Sequence, residues 1–151
     1  MSEVYFYHLT TQPLEQTLPK LLGLARKAGW RIAIRGKTAE RLDWLDDRLW
    51  QGDGFLPHGR SGGEFDADQP ILLTEGAARN APDCLISIDG AELEPGEVGA
   101  LSRAMILFDG NDIDAVTVAR TQWKAMTGAD IPAKYWSQEN GPWEMKAQHP
   151  A

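Results

Sequence analysis

Apolar positions recur along this chain in two rhythms, short dense runs and helical stripes, and their succession predicts a layered α/β fold. Val4 to Leu9, VYFYHL, is β-branched and aromatic on both faces, the composition of a covered central strand. Pro13 can open a helix, and Leu14, Leu18, Leu21, Leu22 and Ala25 then form one stripe ending near Gly29. Pro19 inside that stripe predicts either an irregular first turn or a helix that begins there. Arg31 to Arg35 reads as the second strand, and Thr38 as the N-cap of a helix carrying Leu42, Leu45 and Leu49 beside Trp44. Pro70 to Thr74, Cys84 to Ile88 and Arg103 to Asp109 predict three more strands, with a loop or short helix over Glu92 to Gly99. A final helix runs from Ile113 to Thr127, between the Asp109–Asp112 turn and Gly128.

The link from Glu75 to Asp83 is short for a helical crossover, so the strands it joins are antiparallel or sit apart, and the sheet is mixed and mostly parallel. Together these elements predict a three-layer Rossmann-like α/β domain over residues 1–136, with helices on both faces of the sheet. Residues 137–151 follow as a C-terminal extension containing Trp143.

A chain of 151 residues is large enough to build one core without disulfide staples, and its single cysteine, Cys84, has no internal partner. Cys84 lies in an apolar strand, where burial raises the thiol pKa and lowers reactivity. Neither a signal peptide nor a membrane span stands out, which makes the cytoplasm the expected location. The net charge of −7 argues against broad sequence-independent binding of nucleic acid, since that affinity comes from an excess of Lys and Arg over phosphates. Any role with DNA is expected to be indirect.

Catalytic signals are sparse. His8, His58 and His149 have no metal-ligand spacing with one another or with Cys84, and a lone His after Pro57 suits a loop-stabilising hydrogen bond. Gly36-Lys37-Thr38 lacks the earlier glycine of a phosphate loop, because Arg31 stands there, and Gly59, Gly62 and Gly63 do not lie between a strand and a helix. Asp109, Asp112 and Asp114 lack the ligand spacing of a calcium loop and serve better as helix caps. No metal or cofactor is expected. A Rossmann-like enzyme or sensor that binds a nucleotide at the strand ends remains the alternative reading of the fold.

Two aromatic features suggest binding instead. Trp50 and Phe55 flank a Gly52–Gly54 break after the second helix, where their rings can face a partner. On the last helix, Arg120, Trp123 and Lys124 lie within about one turn. They combine an apolar shelf, a guanidinium able to grip a carboxylate and a second positive charge, which suits an acidic peptide with a free carboxylate and a hydrophobic end. The same residues also read as an amphipathic helix with a solvated basic edge.

The segment Leu45-Asp46-Asp47-Arg48-Leu49-Trp50 leading to Phe55-Leu56-Pro57-His58 resembles the chi subunit of the bacterial DNA polymerase III holoenzyme. So do Val4 to Tyr7, Arg41-Leu42-Asp43, Leu85-Ile86-Ser87, and Ala119-Arg120 with Lys124-Ala125; the likeness runs over roughly residues 3 to 136. It implies a non-catalytic accessory protein that binds the acidic C-terminal tail of single-stranded DNA-binding protein. It implies a second contact with the psi subunit or another clamp-loader or helicase partner. By resemblance, Arg120, Trp123 and Lys124 belong to the tail site, and Trp50 and Phe55 to the psi-like interface. Val116 stands where the family's helix has a basic residue one turn before the matching arginine, so the tail site carries one positive charge fewer.

Overall fold

The computed structural model describes residues 2–51, 58–138 and 143–150. Its strands are β1 (Glu3–Leu9), β2 (Ile32–Arg35), β3 (Gly59–Arg60), β4 (Ile71–Thr74), β5 (Cys84–Ile88), β6 (Arg103–Asp109), β7 (Ala133–Ser137) and β8 (Glu144–His149). The helices are α1 (Leu14–Lys27), α2 (Ala39–Trp50), the single turn α3 (Pro95–Val98) and α4 (Ile113–Gly128). The strands form one sheet in the order β3-β4-β2-β5-β6-β1-β7-β8. All pairings are parallel except β7 with β8.

Strand alternation sorts the core into two layers. Tyr7, Leu9, Ile32, Ile34, Ile86, Met105 and Leu107 face α1 and α2, where Leu14, Leu18, Leu22, Leu42, Leu45 and Leu49 meet them. Phe6, Ala33, Leu85, Ala104, Ile106 and Phe108 face the other way, toward Val98 of α3 and Ala119 and Met126 of α4. Helices therefore cover both faces of a mixed, mostly parallel sheet.

Local chemistry explains the boundaries. Helix α1 starts on the Pro13 carbonyl, which accepts from the amides of Gln16 and Thr17, and continues through Pro19 without a break. Thr38 caps α2, its hydroxyl accepting from the Arg41 amide at 3.2 Å. Gly36 lets β2 approach that helix closely: a Cβ there would lie 2.8 Å from Leu42 Cδ2. Asp112 caps α4 through the amides of Asp114 and Ala115.

The strands joined by residues 75–83 sit apart, β4 and β5 each lying parallel to β2 on opposite sides. The link crosses without a helix because Asn80, fully buried, donates to the carbonyls of Ile32 and Gln69, both at 3.0 Å. The sheet becomes mixed at its other end, where β8 pairs antiparallel with β7. The extension proposed from the sequence thus supplies the edge strand β8 and Trp143, whose ring meets Tyr7 edge-on at 5.3 Å.

Candidate functional site

Helix α4 has three faces. Ala119 and Met126 are buried against the sheet. One flank is turned toward β5 and α3, with Val118 beside Gly90 and Gln122 Nε2 donating to the Ala91 carbonyl at 3.1 Å. The opposite flank, carrying Val116, Arg120, Trp123 and Thr127, consequently faces β7. There the Trp123 ring stands edge-on to Phe6 at 5.3 Å and to Tyr135 at 6.1 Å. It is half-buried, an apolar wall fixed from behind, whereas Arg120 and Lys124 are exposed and form no ion pair with the described residues.

The three residues assigned to the tail site are therefore brought together as a half-buried ring beside two exposed cations. Tyr135 completes the floor, and the sequence reading missed it. Strand β7 carries it into register with Phe6 of β1 on one side and Ala147 of β8 on the other. Its hydroxyl lies 2.6 Å from His8 Nδ1, and its ring also contacts Phe108. The one sequence signal was the Tyr135-Trp136 pair, to which the polar residues around it gave no period that would mark a strand.

The psi-like assignment is divided. Trp50 ends α2 and is 52% exposed, its ring tilted over His58 at 4.2 Å. His58 is buried, with Nε2 2.9 Å from Asp46 Oδ1, so it pins the returning chain to α2 as a hydrogen-bonding histidine would. Phe55 lies outside the described residues. Trp50 ends α2, which packs on β3 and β4 at one edge of the sheet, whereas α4 packs on β6 and β7 on its other face, several strands away at about 4.8 Å each.

A crevice of about 620 Å³ opens at the carboxyl ends of β1, β5 and β6, the switch point where a doubly wound fold binds nucleotides. Here several of its donors are already used. The amides of Thr10 and Gln12, which would cradle a phosphate at the start of α1, both donate to Gln138 Oε1 at 3.1 Å. Asp112 occupies the N-terminus of α4, and Arg41 is held by Asp89 at 2.8 Å. Asp109, Asp112 and Asp114 line the same rim and repel phosphate. Cys84 is fully buried, and that burial pushes its thiol up to about 12. Among the described residues, no group of three or more His, Cys, Asp or Glu could hold a metal ion, and no helix is long and apolar enough to cross a membrane.

Comparison with known families gives one match, to the DNA polymerase III chi subunit, HolC, over residues 1–134. No curated protein matches the chain.

Proposed function

The chain belongs to the DNA polymerase III chi subunit family, and from that premise we propose that it is a non-catalytic cytoplasmic adaptor that holds the acidic C-terminal tail of single-stranded DNA-binding protein. The observation that carries this reading is the α4 flank, where Arg120 and Lys124 are exposed beside a Trp123 ring that Phe6 and Tyr135 hold in place. A tail ending in an aromatic residue and a free carboxylate would lay its ring against Trp123 and its carboxylate on Arg120, with Lys124 attracting the preceding acidic residues. The second contact, through Trp50 and Phe55, would join the psi subunit or another clamp-loader or helicase partner at the far edge of the sheet. DNA is then reached chiefly through these proteins.

The test is calorimetric titration with an acidic peptide ending in Pro-Phe, for the wild type and Arg120→Ala. Loss of a charge-assisted pair predicts about 2 kcal/mol, or roughly 30-fold weaker binding, and added salt should weaken the wild type. Equal affinities for the two proteins would remove Arg120 from the site. The nucleotide alternative makes the opposite prediction, thermal stabilisation by ATP or NAD; the Gln138 and Asp112 contacts in the crevice favour no shift.

A further inference from the structure

Helix cover is uneven on the face opposite α4. There α1 packs over β2 and β6 and α2 over β3 and β4; Tyr7 and Leu9 of β1 share a core layer with Leu14, Leu18 and Leu22 of α1, and beyond them, toward β7 and β8, the surface is built from strand side chains together with Trp30 and Trp143. We propose that this end is a stacking platform for a short stretch of single-stranded nucleic acid.

Strand alternation gathers rings there. Tyr5 of β1 and Trp136 of β7 are 6.3 Å apart, and Trp143 joins them against Tyr7. Trp30 approaches from the turn after α1, and Tyr5, Trp30, Trp136 and Trp143 are all half-buried. Cations are interleaved with these rings: the Arg103 guanidinium lies 4.1 Å over Tyr5 and 5.2 Å from Trp30, and Lys134 Nζ lies 5.4 Å from Tyr5. Lys146, on the adjoining edge strand, is paired with Glu144 at 3.0 Å, and Glu3 lies 4.0 Å from Arg103, which leaves Arg103 and Lys134 as the cations beside the rings. Among the described residues, two donors in this cluster, Arg103 Nε and Trp136 Nε1, have no hydrogen-bond acceptor.

The chemistry narrows the occupant. A proline-rich peptide would use the rings but has no need of the cations, and an acidic peptide would use the cations but has no need of four rings. A single strand presents flat faces, anionic phosphates and base acceptors at once. The cations are few in a chain of net charge −7, so the contact spans about two or three nucleotides and is weak. It lies on the opposite face from the tail site and does not depend on it.

The experiment is tryptophan-fluorescence titration of the full chain at low salt with an oligothymidylate of about 12 nucleotides and with a polyproline peptide of equal length. Saturable quenching by the oligonucleotide that fades with salt is expected, together with about 10-fold weaker binding for Trp136→Ala. Lys134→Glu reverses a charge beside Tyr5 and leaves the rings in place. It should weaken oligonucleotide binding several-fold while retaining wild-type affinity for the acidic peptide, and Arg120→Ala should do the reverse. Absence of quenching at low salt, equal oligonucleotide affinity for Lys134→Glu and wild type, or preference for polyproline would each overturn the proposal.

Discussion

Gly110→Ala tests how the turn after β6 is built and how it supports the candidate site. A Cβ on Gly110 would lie 1.8 Å from His8 Cδ2, 2.0 Å from His8 Nε2 and 2.9 Å from the Leu9 carbonyl oxygen. The backbone of Gly110 lies outside the left-handed region, so the difficulty is space and not conformation. An ordinary contact needs about 3.5 Å, and the imidazole would have to retreat by roughly 1.5 Å. It has little room, because Phe108 packs on it at 5.1 Å and the Tyr135 hydroxyl holds Nδ1 at 2.6 Å. Overpacking of this kind costs about 1–3 kcal/mol, and losing the part-buried His8–Tyr135 bond adds about 1 kcal/mol.

The expected loss is therefore about 2–4 kcal/mol, or a fall of roughly 6–12 °C in Tm for a domain of this size. Urea and thermal unfolding followed by circular dichroism would measure it. A cycle with His8→Ala locates the cause: without the imidazole the two shortest contacts disappear and the Leu9 carbonyl at 2.9 Å remains, so the cost of Gly110→Ala should drop by about 1–2 kcal/mol. The same penalty in both backgrounds would refute the steric reasoning, as would a loss below about 0.5 kcal/mol in the wild-type background.

Arg35 donates to both Glu97 oxygens, at 2.5 and 3.2 Å, and that hydrogen bond, aided by the Glu94 amide, holds the carboxyl below its usual range despite some opposing desolvation. Its contribution is complete at neutral pH and disappears as pH falls below about 4.5 and through the lower folded value; Glu97→Gln should flatten that part of the urea-midpoint profile, by no more than about 1 kcal/mol because the Glu97 carboxylate is partly open to solvent. Leu45→Ala, at a fully buried position, should cost about 2–5 kcal/mol by urea unfolding, whereas Trp50→Ala, half-exposed over His58, should cost about 1 kcal/mol; equal losses would make Trp50 a core residue.

The fold was most legible where one side chain pattern had one structural cause. Strands β1, β2, β4, β5 and β6 are covered on both faces and read as apolar runs, and α1, α2 and α4 show the stripe that packing requires. Strand β3 has only two residues, too few for a period. Strand β8, EMKAQH, is a polar edge: Met145 and Ala147 alternate with polar residues but are themselves exposed, too weak a pattern to mark a strand. Within α4, helical spacing was enough to group Arg120, Trp123 and Lys124. Tyr135 and His8 were out of reach because they meet through the parallel register of β1 with β7, between residues 127 positions apart. Gln138 escaped for the same reason.

These long-range pairings also explain why the candidate surfaces lie where they do. In a doubly wound sheet the switch point is the natural ligand crevice, because free amides at the start of the first helix converge there. This chain has the crevice, yet Gln138, delivered by β7, accepts from the Thr10 and Gln12 amides, and Asp112 satisfies the start of α4. Two backbone donors beside the crevice are thus spent on holding the end of β7 beside β1. In exchange, that strand adds ring surface to both faces of the sheet: Tyr135 beside Trp123 on one side, and Trp136 beside Tyr5 on the other. Neither face is fully covered by a helix at this end. One late strand thus both engages donors at the crevice and extends the sheet with ring surface on its two faces.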